Sequence, residues 1–371
     1  MKRIGVEPPP PPASRFHLAV EFLLFAAFLY LFLVSIELMS TAFKLAGKGL
    51  AERLLLLTSD PLAGLIVGLV ATSVIQSSST TTSITVGLVA AGSIDLRLAI
   101  PIVMGANIGT TVTNTIVSLG HARNPRELER AFAASTVHDF FNVLSVLVLF
   151  PLELRFHLIE KAAVHLQESF ATIGGVEMLS PLKLVVSPPV ELAVRAIPHP
   201  IPVLAVALFL LFLSLSRIVR IMRRSLVTRA QGLFDRLLFR NDAAAFLVGW
   251  LLTAAVQSSS VTTSLVVPLV GTGILTVREI YTYTLGANLG TTITALLASF
   301  ATANPSAIAV AFGHMTFNIL GIAIFYPAKA LPIALATGVG RLAGRSRRSL
   351  AGLFVIYIVA HLVPVLYVLL R

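Results

Sequence analysis

The chain is written twice, and this limits its fold more than any other feature. "QSSSTTTS" at 76–83 returns as "QSSSVTTS" at 257–264, identical at seven of eight positions and displaced by 181 residues. "IPIVMGANIGTTVTNTIVSL" (100–119) is answered at the same displacement by "YTYTLGANLGTTITALLASF" (281–300). "VHDFFNVLSVLVLFP" (137–151) is answered by "GHMTFNILGIAIFYP" (313–327) at a displacement of 176. Three matched blocks in one order mean an internal duplication, whose second copy has a shorter loop before the third block.

Both copies are apolar. Of 371 residues 56% are hydrophobic and 12% charged, against about 25% charged in a soluble domain. Long apolar runs recur throughout, so the expectation is an all-α polytopic membrane protein lying in a lipid bilayer. The net charge of +11 suits basic loops on a cytoplasmic face. No basic patch carries interleaved aromatics, so nucleic acid is not an expected partner. There is no Cys, which excludes disulfides, thiolate metal sites and a Cys nucleophile. No Asn-x-Ser/Thr site is present either, and both absences fit a prokaryotic inner membrane. "MKRIGVEPPPPPAS" is too proline-rich for a helix, and residues 1–17 read as a disordered cytoplasmic tail. The apolar run 18–43 is too long for a signal-peptide core and reads as a retained transmembrane helix.

Residues 61–93 decide the topology. As one helix they would run about 50 Å, too long for a hydrocarbon core of about 30 Å. As two spans, each is shorter than the roughly 20 residues a crossing needs. Two short arms joined at the QSSS fit better: a re-entrant hairpin with its tip near the midplane, tolerated where protein or water surrounds it. Spans follow at about 96–119 and 131–151. The expected organisation is a first repeat over 18–155 with its hairpin at 61–93, an extracytoplasmic linker with amphipathic segments at 156–199, and a second repeat over 200–330 with its hairpin at 241–273. A basic cytoplasmic loop and a last transmembrane helix occupy 331–371. Three crossings per repeat is odd, so the two repeats have inverted topology. With the N-terminus cytoplasmic, 19 of the 28 basic residues fall inside, as the positive-inside rule asks. Lys44, Lys48 and Arg53 fall outside.

Membrane proteins with internal repeats are commonly transporters, with the site at the repeat interface. A hairpin tip offers helix N-termini with free N–H groups, suited to an anion. It also offers carbonyl and hydroxyl oxygens, suited to a small hard cation. The candidate substrate residues are Gln76, Ser77, Ser78, Ser79 and Thr80, with Gln257, Ser258, Ser259 and Ser260. The two GAN-x-GTT blocks, whose glycines permit unwinding, add Asn107, Thr110 and Thr111, and Asn288, Thr291 and Thr292. No Lys or Arg lies in these apolar cores, apart from Arg97 and Arg278 at span edges. An oxyanion near −2 cannot sit uncompensated at the midplane, so co-bound cations are expected, with Na⁺ the coupling ion. Candidate Na⁺ ligands are Gln76, Asn114, Asp139, Asn142, Gln257, Ser260 and Asn318. Asp139 is the one carboxylate deep in an expected span, and an intramembrane acid is by default functional. His138 and His314 occupy matched positions and are candidate proton sites, unless they are hydrogen-bonded structural residues. A Ser77–His138–Asp139 protease triad is rejected. The acid cannot be the histidine's sequence neighbour, no Gly-x-Ser-x-Gly elbow exists, and a duplicated nucleophile serves no catalysis. The chain is not read as an enzyme, and needs no cofactor beyond Na⁺.

The paired QSSS blocks, "GANIGTT" with "VTNTIVSL", and "VHDFFN" followed by "LSVLVLFPLE" resemble the type II sodium/phosphate cotransporters over both repeats. The resemblance implies phosphate and Na⁺ at Gln76 to Thr80 and Gln257 to Ser260. It implies that Asp139 matches the Asp marking electrogenic members, and Asn142 an Asn near a Na⁺ site. The chain departs from the vertebrate pattern at His121 and Asn124, where relatives carry Gln and Asp, and at Ser135, where electrogenic relatives have Ala. The expectation is Na⁺-coupled uptake of inorganic phosphate across the cell membrane. The alternatives are another oxyanion such as sulfate or arsenate, H⁺ coupling through His138 and His314, or a channel or membrane scaffold. Oligomeric state is not legible.

Overall fold

A computed structural model describes residues 15–46, 60–110, 112–175, 180–233 and 241–369. It is 89% helical, with no strand among the described residues. Residues 1–14 of the expected tail, Lys48, Arg53 and Thr111 lie outside the described residues.

The first copy comprises α1 (Arg15–Ala46), α2 (Pro61–Ile75), α3 (Ser78–Ala90), α4 (Leu96–Ile108), α5 (Val112–Ser118) and α6 (Pro125–Phe156). The segment read as a linker forms α7 (Leu158–Thr172) and α8 (Ser180–Ala196). The second copy comprises α9 (Pro200–Leu233), α10 (Asp242–Val256), α11 (Ser259–Gly271), α12 (Val277–Thr302) and α13 (Pro305–Phe325). Next come α14 (Ala330–Arg345) and α15 (Arg347–Leu369). Five described helices are long and apolar enough to cross a membrane: those spanning Ala19–Ala46, Pro125–Phe156, Pro200–Ile221, Val277–Thr302 and Pro305–Phe325. Their outer faces carry exposed side chains such as Phe22, Leu147 and Phe209, as helices facing lipid should.

Helix boundaries follow local chemistry, and the copies use the same devices. Asn124 precedes Pro125 and caps α6 through Arg126 N at 3.1 Å. Asn304 precedes Pro305 and caps α13 through Ala307 N at 3.2 Å. An Asn N-cap with Pro in the first turn starts a helix efficiently, since the proline's missing N–H would be unpaired there anyway. The expected span at 96–119 differs from its second-copy equivalent. It is interrupted after Ile108 and divides into α4 and the seven-residue α5, whereas α12 is continuous over 26 residues. Asn114 on α5 donates to Thr263 Oγ1 of α11 at 2.8 Å. The corresponding position on α12 is Ala295, which has no such tether.

Close backbone contact ties each short helix to the block that follows it. Gly68 lies against Ile102 and Ala106, Gly105 against Leu65 and Leu69, and Gly109 against Leu69 and Thr72. The partners' numbers rise together, so α2 and α4 run parallel. In the second copy Gly249 lies against Tyr283 and Ala287, and Gly286 against Phe246 and Trp250. Thus α10 and α12 repeat the arrangement at the same displacement.

Two contacts between the copies lie at the ends of α3 and α11. Arg130, near the start of α6, donates from Nε to Gly271 O at 3.0 Å. Asn304, at the start of α13, donates to Ala90 O at 3.3 Å. Within the second copy, Lys329, beyond the end of α13, pairs with Asp242 at the start of α10 at 2.6 Å. Between them Gly321 on α13 packs against Phe141 and Ser145 on α6.

Candidate substrate and ion site

The two QSSS blocks fold identically. Helix α2 ends at Gln76, whose backbone is left-handed at φ 59°, and α10 ends at Gln257 at φ 61°. Such a conformation costs a side-chain-bearing residue about 1–2 kcal/mol and is usually left to Gly. Each glutamine turns its amide nitrogen back to the carbonyl three residues earlier, Ser73 O and Ala254 O. The nitrogen is thereby committed, and the amide oxygen remains as the ligand each Gln can offer.

The next residue swings to extended backbone and caps the second helix. Ser77 Oγ accepts from Thr80 N at 3.2 Å and from Thr80 Oγ1 at 2.9 Å. Ser258 Oγ accepts from Val261 N at 3.4 Å. Helices α3 and α11 therefore begin at the serine runs, with their first N–H groups and positive dipole ends there. The two arms of each unit are pinned by threonine pairs: Thr72 to Thr81 at 2.9 Å, and Thr253 to Thr262 at 2.6 Å. These threonines too recur at a displacement of 181, but their pairing across the turn is visible only in the fold.

The two tips touch. Ser79 Oγ donates to the backbone carbonyl of Gln257 at 3.1 Å. Ser78, Ser79, Thr80, Gln257, Ser259 and Ser260 are buried, while Gln76, Ser77 and Ser258 are partly exposed. No Lys or Arg occurs in either two-helix unit, so any anion there must be balanced by something other than a basic side chain.

A second polar centre joins the copies through histidine and asparagine. His138 Nε2 lies 2.9 Å from Asn288 Oδ1 and 3.2 Å from Asn142 Nδ2; protonated it donates to the first, unprotonated it accepts from the second. Asn288 Nδ2 donates to Asn142 Oδ1 at 2.7 Å, and Asn142 Nδ2 donates to Asn107 O at 2.8 Å. His314 Nε2 lies 3.4 Å from Asn107 Oδ1. Each histidine thus reaches the asparagine of the other copy's GAN block. The copies differ at the last link: Asn318, the counterpart of Asn142, donates to His314 O in its own helix at 2.9 Å.

Thr110, Thr291 and Thr292 bond back to carbonyls of their own segments, at Ala106, Ala287 and Leu289. Asn114 Oδ1, Asp139 Oδ1 and Asn318 Oδ1 are buried without a hydrogen-bond partner among the described residues. A buried polar atom left unpaired costs about 1–3 kcal/mol, so each of these oxygens is open to a cation. Asn114 contacts the second unit through Thr263, a partner that the sequence did not reveal.

A family model described as "Na+/Pi-cotransporter" matches residues 31–178 and 208–340. The sodium-dependent phosphate transport protein 2A of Ovis aries is 33% identical over 87% of this chain and 64% of its own length. The 2B protein of Homo sapiens is 33% identical over 88% of this chain and 62% of its own length. The 2A protein of Mus musculus is 34% identical over 87% and 64%. The chain therefore spans slightly less than two thirds of the relatives it matches. No solved structure matches.

Proposed function

The chain belongs to the Na+/Pi-cotransporter family, and from that premise we propose that it imports inorganic phosphate across the cell membrane, driven by co-transported Na⁺. Phosphate is held where the two QSSS tips meet, by the N–H groups and hydroxyls at the starts of α3 and α11. The observation that supports this reading is the bond from Ser79 to Gln257 across the copies, which brings the two distant motifs into contact. Na⁺ ions neutralise the phosphate, because no basic side chain is within either unit and a buried anion cannot remain uncompensated. Their ligands come from the Gln76 and Gln257 amide oxygens, Ser260, Asn142, and the unpaired oxygens of Asn114, Asp139 and Asn318.

The topology we propose is two inverted repeats, 18–155 and 200–330, each with a re-entrant hairpin, at 61–93 and 241–273. The parallel packing of α2 on α4 supports the first hairpin. If α2 runs parallel to α4, and α3 returns to the start of α4, the hairpin begins and ends at one level. The same holds for α10, α11 and α12. Inversion is supported by the contacts of α6 and α13. Helix α6 starts beside Gly271, at the base of the second hairpin. Its counterpart α13 starts beside Ala90, at the base of the first, and ends near the Lys329–Asp242 pair at the second. Matched helices thus run in opposite directions, which suits alternating access about a central site. The distribution of basic residues supports a cytoplasmic N-terminus.

The test is uptake of labelled phosphate into proteoliposomes under an inward Na⁺ gradient, against matched K⁺ and a pure pH gradient. Uptake only with Na⁺, competed by arsenate more than by sulfate, is the expected outcome. Uptake driven by the pH gradient alone would overturn Na⁺ coupling. Transport of sulfate but not phosphate would overturn the cargo.

A further inference from the structure

At the joint between α6 and α7, the geometry points to a divalent transition-metal site formed by Glu153, His157 and Glu160, distinct from the transport site. One ligating atom from each residue lies within 4.8 Å of the other two. The joint is built to bring them together. His157 ends α6 and starts α7 in the left-handed conformation, φ 51°, folding the chain so that Glu153 and Glu160 face each other around it. Glu153 is only 4% exposed. It is fixed by two backbone donors at the start of α7, Ile159 N at 2.6 Å and Glu160 N at 3.2 Å. A carboxylate has about four acceptor positions, so two remain.

The informative contact lies between His157 and Glu160. Nδ1 and Oε2 are 3.1 Å apart, yet Oε2 is buried and makes no hydrogen bond. Two ligand atoms at this separation, not aligned as donor and acceptor, have the spacing of two corners of a tetrahedral zinc shell. With bonds of about 2.0–2.1 Å, that edge is about 3.3 Å. Arg97 occupies the other oxygen of Glu160, Nε to Oε1 at 3.2 Å, and so orients the carboxylate while leaving Oε2 available. Around the joint and its cavity, three carboxylates (Glu153, Glu160, Glu168) stand against two cations (Arg97, Lys161), a local charge favouring a cation. A cavity of about 270 Å³ lined by Arg97, His157, Glu160, Lys161, His165 and Glu168 opens on the joint and gives access from solvent. One imidazole with two carboxylates is a Zn²⁺-type ligand set, the fourth position falling to water.

Calorimetric titration of ZnCl₂ into the chelator-treated, detergent-solubilised full chain tests this. His157→Asn is the principal variant, because Asn tolerates the left-handed backbone while lacking the imidazole, and thermal melting checks that it folds. Glu160→Gln is the second variant. The expected result is one Zn²⁺ bound per chain, lost in His157→Asn and weakened about tenfold or more in Glu160→Gln. Co²⁺ should give the intense visible absorption of a tetrahedral site in the wild type only. Absence of binding to the wild type, or equal stoichiometry and affinity in folded His157→Asn, would overturn the site. Both readouts are independent of phosphate transport.

Discussion

Gln76 and Gln257 illustrate what one residue can reveal. Both occupy a backbone conformation that glycine adopts more cheaply, so the side chain must justify the position. Replacing either with Gly should leave the melting temperature unchanged or higher, relieving about 1 kcal/mol. The same change should reduce Na⁺-driven phosphate uptake by about tenfold or more, the loss of roughly 1.4 kcal/mol of ligation. Undiminished uptake would mean the glutamines serve only the turn. His138 and Asn288 make a second residue-scale case. Removing one partner strands a buried polar atom, at about 1–3 kcal/mol. A double-mutant cycle on His138→Ala and Asn288→Ala, read by thermal or denaturant unfolding, should show coupling of about 1 kcal/mol or more; additive losses would contradict the link. The sequence displayed both histidines at matched positions. It did not display that each bonds to the other copy, because repetition records equivalence and not contact.

At the scale of elements, the short helices depend on close approach. A Cβ on Gly68 would lie 1.9 Å from Ile102 O, and one on Gly249 2.1 Å from Tyr283 O. Gly68→Ala should therefore force α2 away from α4 and cost about 1–3 kcal/mol or more. Gly338→Ala, with nothing within 4 Å, should melt as the wild type does or slightly above. Equal melting temperatures for the two variants would refute the packing. The joints at Gln76 and Gln257 were legible from length and polarity alone, since neither unit could be a whole span. The break after Ile108 was legible only as a permission, because both GAN-x-GTT blocks carry the same glycines. What distinguishes them is tertiary: Asn114 reaches Thr263, and Ala295 has nothing to reach with.

For the whole molecule, composition made the helical, membrane-spanning class readable, and the proposed inversion rests on the contacts that α6 and α13 make at their ends. The Lys329–Asp242 pair ties the end of α13 to the start of α10, but its side chains are 22% and 42% exposed. Its contribution to stability should be only about 0–1 kcal/mol. Asp242→Asn should therefore change the melting temperature little, and charge reversal at both positions should restore any lost uptake. Failure of the double reversal, with the protein folded, would remove the pair from the account.

The natural absence of cysteine permits the most direct test of the central claim, that two hairpin tips form one phosphate site. Single cysteines would be placed at Ser77 and Ser258, and their rates of modification by a small thiol reagent measured in proteoliposomes. We predict that phosphate with Na⁺ slows modification at both positions, while phosphate with K⁺ slows neither. If phosphate and Na⁺ leave both rates unchanged in variants that still transport phosphate, the cargo binds elsewhere and the account is contradicted.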